Sequence, residues 1–143
     1  MKTSITFGIL AVSTLAATLG LAAIQDRKTT DGVYTNEQAD RGQQLVTGYG
    51  CQNCHGASLE GGLQEEPPLQ GEQFFTLWTG RKVDELAEKL TTMPTDRGPG
   101  EQVKAQEAAD IVSYLLRYNG FPSGADELPA DLPSLKRIEI VGP

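Results

Sequence analysis

The pattern of apolar and polar positions opens with a block: Ile5 to Ile24 carries no charge, and Lys2 stands just before it. The chain then turns polar, and Gln25 to Val33 reads as a short linker. Thr35-Asn36-Glu37-Gln38 has the Thr-x-x-Gln spacing of a capping box, in which side chains satisfy the first free N–H groups of a helix. The helix it predicts carries Ala39, Gly42, Leu45 and Val46 along one face and stops at Gly48-Tyr49-Gly50. Glycine in a helix interior costs about 1 kcal/mol against alanine, so Gly42 implies a close helix crossing.

Residues 56–71 read as loop, marked by Gly61-Gly62, Glu65-Glu66 and Pro67-Pro68. Two shorter helices are predicted, around Glu72 to Trp78 and around Val83 to Leu90. Their Phe74, Phe75, Leu77, Val83, Leu86 and Leu90 would face a core or a bound group. After a loop over residues 93–100, Ala108, Ile111, Val112, Leu115 and Leu116 recur at helical spacing within Val103 to Tyr118, and Gly120 with Pro122 stops that helix. No strand pattern appears before the tail, so the fold expected is all-α, with about four to five helices. The tail is Pro-rich and then carries Ile138, Ile140 and Val141. A strand packed on the domain, a docking arm and an unattached end all remain open for it.

A length of 143 residues implies one domain. Residues 1–22 are read as a signal peptide, because Gly20 and Ala22 put small side chains where a signal peptidase reads, with cleavage after Ala22. A retained membrane anchor is the alternative, since the run is about long enough to cross a bilayer at roughly 20 residues. Either way the rest of the chain is exported, to the periplasm or its equivalent. The division expected is signal peptide 1–22, linker 23–33, domain 34–121 and extension 122–143.

The formal charge of -7 becomes -8 without Lys2, the only charged residue ahead of Asp26. Nucleic acid is excluded as a partner on that ground, because binding it needs a positive surface. A basic protein partner is favoured. Without the signal, apolar residues fall to roughly a third of the chain, below the usual share. A large apolar cofactor would complete so thin a core.

The candidate chemistry lies in Cys51-Gln52-Asn53-Cys54-His55. C-x-x-C-H is the attachment sequence of a c-type haem: two thiols on one turn add to the two vinyl groups of a porphyrin edge, and the next residue lies under the iron. A structural zinc site needs four ligands, and the whole chain has two Cys and one His. A thioredoxin-like pair would sit at a strand-to-helix turn of an α/β pattern, which is missing here. His55 is the only histidine, so the second axial ligand falls to Met93, the only methionine besides the initiator. A thioether there suits electron transfer. Met93 lies in Thr91-Thr92-Met93-Pro94, a loop context that argues against simple core filling.

The order of N-terminal helix, Cys51-to-His55 motif, Pro-Leu loop, Met93-Pro94 and C-terminal helix resembles the small class I cytochromes c over residues 34–121. The resemblance implies a cytochrome c fold around one haem c, covalent through Cys51 and Cys54. It further implies axial ligands His55 and Met93, a Pro67 carbonyl accepting from the proximal imidazole, and a Trp78 near a haem propionate. More narrowly, Pro67-Pro68-Leu69, Phe74, Trp78, Thr91-Thr92-Met93-Pro94 and Tyr118-Asn119-Gly120-Phe121-Pro122 resemble monohaem cytochromes that serve bacterial quinoprotein dehydrogenases. The function expected is single-electron transfer between periplasmic or membrane redox partners. A quinoprotein dehydrogenase would be the donor, and a terminal oxidase or another cytochrome the acceptor. The chain is expected to be a carrier, free or as a subunit of a dehydrogenase complex, and not an enzyme. The alternative is a haem enzyme or gas sensor with an open distal iron site, for which no second histidine offers an acid-base group. Membrane contact is expected only if the N-terminal run is retained.

Overall fold

The computed structural model describes residues 25–62, 66–93 and 102–142. The uncharged run with its cleavage site, Glu65 and the loop from Pro94 to Gly100 lie outside the described residues. Thr35 caps α1 (Asn36–Gly48), its hydroxyl accepting from the Gln38 N–H at 3.1 Å. The reciprocal half of the predicted capping box is replaced by a long-range contact. Gln38 is fully buried, and its side-chain amide pairs with the Leu128 backbone: Nε2 donates to the carbonyl at 2.9 Å and Oε1 accepts from the N–H at 2.6 Å.

α1 crosses α5 (Ala105–Tyr118), the most extensive contact between described elements. A Cβ on Gly42 would overlap the Asp110 carbonyl oxygen and stand 2.9 Å from the Tyr114 Cβ. Only glycine lets the two backbones meet there. The contact point on α5 is therefore Asp110 and Tyr114, and the neighbouring Ile111, Val112 and Leu115 side chains are buried in the core. Arg41 fastens the same joint with two bonds to Asp110, at 3.0 and 3.1 Å, and a third to Glu127 at 2.9 Å. Arg117 adds a 2.7 Å pair with Asp40.

α2 (Gln52–His55) is a single turn, and α3 (Gly71–Trp78) and α4 (Val83–Thr91) follow where the apolar spacing predicts helices. Phe74, Val83, Leu86 and Leu90 are buried, Phe75 is half-buried, and Leu77 faces solvent with 43% exposure. Leu77 is thus outside the protein core, which leaves the bound group as its expected neighbour.

At the two ends of the domain, the N-terminal one departs from the sequence reading and the tail takes one of the alternatives left open for it. Residues 25–33 are attached structure, not a linker. They hold β1 (Arg27–Lys28) and a 3₁₀ turn (Thr29–Asp31), and lead into Val33 and Tyr34, both buried. The tail returns to meet them. After α6 (Leu132–Leu135), which packs on α4, β2 (Ile138–Glu139) pairs in parallel with β1, Arg27 opposite Ile138 and Lys28 opposite Glu139. Leu128, Leu135, Ile138 and Ile140 are buried. The tail is therefore a packed layer with a short strand, and the polarity of the facing segment hid this because backbone groups make the pairing. No helix among the described residues is long and apolar enough to cross a membrane.

Candidate functional site

The end of α1 hands the chain to α2 through short bonds. The Cys51 N–H donates to the Val46 carbonyl at 3.0 Å, and the Cys51 carbonyl accepts from Cys54 and His55 at 3.2 and 2.9 Å. Cys51, Cys54 and His55 thus share one turn. Cys51 is buried, while Cys54 and His55 are half-buried.

The loop that follows folds back on this turn. The Gly61 N–H donates to the His55 carbonyl at 2.7 Å. Gly62 approaches so closely that a Cβ there would overlap the Cys54 carbonyl oxygen. The loop then brings the Pro67 carbonyl oxygen 2.8 Å from His55 Nδ1. A carbonyl can only accept, so Nδ1 donates, and in the neutral ring the lone pair is then on Nε2. That is the tautomer a metal-binding imidazole requires.

Sequence reasoning missed the residue that holds this loop. Asn119, just past α5, donates from Nδ2 to the Leu69 carbonyl at 3.0 Å and the Leu115 carbonyl at 2.8 Å, and accepts from the Gly71 N–H at 2.9 Å. The Tyr118 hydroxyl adds a bond to the Ser58 carbonyl at 3.2 Å. The available signal was an Asn-Gly pair directly after a helix, a composition that favours side-chain to backbone bonding.

Burial pushes the Cys51 thiol pKa up, and the nearby Cys54 adds to this, against a smaller opposing backbone hydrogen bond. A redox-active Cys-x-x-Cys pair works the other way, through a lowered thiol pKa. Among the described residues no three His, Cys, Asp or Glu side chains converge as a metal cluster would need. A haem asks for something else: two thiols on one turn, one oriented imidazole and a soft second ligand.

Met93 is half-buried against the core just after α4. Leu69, Phe75 and Trp78 are likewise only partly covered by protein. The Arg81 guanidinium lies 5.5 Å over the Trp78 ring, a partner the sequence reading did not foresee. The Cys51, Cys54 and His55 donors fit a haem, and Leu69, Phe75, Trp78 and Met93 are apolar side chains that the protein alone leaves partly exposed. A separate cleft of about 600 Å³ between the Gly61-to-Pro68 loop and α3 is lined by neither cysteine, nor His55, nor Met93.

A Cys-x-x-Cys-His turn with its imidazole locked in the ligating tautomer has the donor chemistry of a c-type haem protein. Comparison with known families matches residues 39–118, more than half of the chain, to the family described as Cytochrome c. The chain belongs to the cytochrome c family, and its fold is the all-α fold of that family. It is a haem protein of electron transport. Searches among curated proteins and among solved structures each gave no match.

Proposed function

We propose that this chain carries one haem c through thioethers to Cys51 and Cys54, with His55 and Met93 as axial ligands, and moves single electrons between exported redox proteins. The observation that carries the proposal is the 2.8 Å contact from His55 Nδ1 to the Pro67 carbonyl, on the same turn as both cysteines. When bound, the haem iron supplies the ferric–ferrous couple. The protein's part is to set how easily that couple accepts an electron. Pro67 holds the imidazole proton on Nδ1 and raises the ring's donor strength at Nε2. Met93 offers a thioether, which favours the reduced state and a higher potential. Trp78 offers an indole N–H to a propionate, with Arg81 stacked on its ring to steady it.

The electron donor we favour is a quinoprotein dehydrogenase, with a terminal oxidase or another cytochrome as acceptor. The resemblances at Pro67-Pro68-Leu69, Phe74, Trp78, Thr91-Thr92-Met93-Pro94 and Tyr118 to Pro122 support this. Export is supported by the uncharged run ahead of Gln25. Protein exported together with haem-attachment machinery is expected to keep its haem through acidified-acetone extraction. Cys51→Ser with Cys54→Ser is expected to yield largely unfolded chain. Freely extractable haem in the wild type would remove the covalent assignment. Co-purification with a quinoprotein dehydrogenase tests the donor separately.

A further inference from the structure

The chain has three places where two cations stand side by side: Arg27-Lys28, Arg81-Lys82 and Lys136-Arg137. They are far apart in sequence, and the fold brings all three together. β2 is the centre. On one side Arg27 and Lys28 pair with it, the Arg27 N–H donating to the Arg137 carbonyl at 3.0 Å. On the other side Lys82 bridges Glu139, and the Ile140 N–H donates to the Arg81 carbonyl at 2.9 Å. One corner therefore holds six of the chain's 12 cations. Lys28, Arg81 and Lys136 are exposed, and Arg27, Lys82 and Arg137 are half-buried.

The carboxylates at this corner are Asp26, Asp31, Asp84, Glu85 and Glu139, five of the chain's 19. The corner thus sums to +1 in a chain of -7, leaving -8 for everything else. Arg81, Lys82 and Arg137 reach Glu85, Glu139 and Asp26 at 3.4, 3.5 and 3.1 Å. Surface pairs of this kind hold weakly, and salt screens them. Arg27, Lys28 and Lys136 have no ion pair among the described residues.

We infer that this corner docks on anionic phospholipid headgroups. The chain reaches the corner at Gln25, directly after the uncharged stretch from Ile5 to Ile24, whose length matches a bilayer core. If that stretch is kept, the corner is the part of the domain next to the bilayer. If it is removed, the three doublets still form a reversible basic contact. Clustered Lys and Arg beside such a stretch draw the domain to anionic lipid. The acidic remainder of the surface is repelled by the same lipid, so the domain lands in one orientation.

The test uses the exported protein with the N-terminus it naturally has. Sedimentation is compared between vesicles of phosphatidylglycerol with phosphatidylcholine and vesicles of phosphatidylcholine alone. Binding to the anionic vesicles is expected to exceed binding to neutral ones, and the excess to shrink as salt rises. Lys28→Gln with Lys136→Gln should reduce the excess about fivefold per cation removed. Asp26→Asn, which removes a carboxylate, should increase it. Both changed lysines are exposed, and unaltered melting of the variants certifies the fold. Equal binding to the two kinds of vesicle, or an excess that survives the double substitution, overturns the inference. Vesicle-independent self-association that the double substitution abolishes would assign the corner to a second copy and overturn it equally. Haem attachment does not enter any of these readouts.

Discussion

Asn119 uses one amide group to join three backbone groups, at Leu69, Gly71 and Leu115, and so fixes the loop that presents Pro67 to His55. Asn119→Ala should lower stability by about 1–3 kcal/mol in denaturant unfolding, the usual cost of leaving bonded groups unpaired. It should also shift the reduction potential, because a looser Pro67 holds the imidazole less well. A merely structural role would leave the potential alone. Met93→Ala should lower the potential, abolish the weak near-infrared sulfur-to-iron band, and open the iron to carbon monoxide. Wild type that already binds carbon monoxide would remove Met93 from the axial site. Glu107 accepts from the Lys104 N–H and from the Tyr49 hydroxyl at 2.9 Å each, and these bonds hold its carboxyl below the ordinary 4.5. A depressed carboxyl stabilises the fold above its unfolded pKa and stops doing so as pH falls through its folded value. Glu107→Gln should therefore flatten stability against pH below about 4.5, measured by denaturant unfolding across that range. Cys51, Cys54, His55 and Met93 were legible as candidates because each is scarce in the chain and sits in a readable local context. Asn119 and Gln38 were not. Their partners lie 50 and 90 residues away, and nothing in the local sequence names them.

At the scale of elements, the helices with complete local signals came out nearly as read. α1 starts after its Thr35 cap, α3 and α4 differ from expectation by one residue each, and α5 begins two residues late. Caps and apolar spacing are local, so they survive without knowledge of the fold. β1 and α6 were not legible, and β2 only as one of three open readings of the tail, because two-residue strands and a single turn have no periodicity to detect. The two strands exist through a pairing across more than a hundred residues. Gly42 shows both sides of this. Its cost in a helix flagged a close crossing, but only the fold identified Asp110 as the backbone it meets. Gly42→Ala should force α1 away from α5 and lower stability by about 3 kcal/mol or more, read from chemical denaturation. An unchanged midpoint would mean that the crossing relaxes freely.

Across the whole molecule, charge is divided between a corner at +1 and a remainder at -8. Electron exchange with a basic partner should slow as ionic strength rises, because screening shortens the reach of steering. Rates indifferent to salt in stopped-flow measurements would indicate an apolar docking face. The tail matters at this scale too. β1 is made early and β2 near the end, and Gln38 likewise waits for Leu128. Synthesis delivers the chain from its N-terminal end, so the Cys51-to-His55 segment is made before either pairing can close. Closing so long a loop costs only slightly more entropy than bringing α1 to α5, so it is the order of delivery that makes these pairings late. The cysteines are therefore present through an interval in which the outer layer has yet to be made. That layer closes the fold from behind, after the last residues have been delivered.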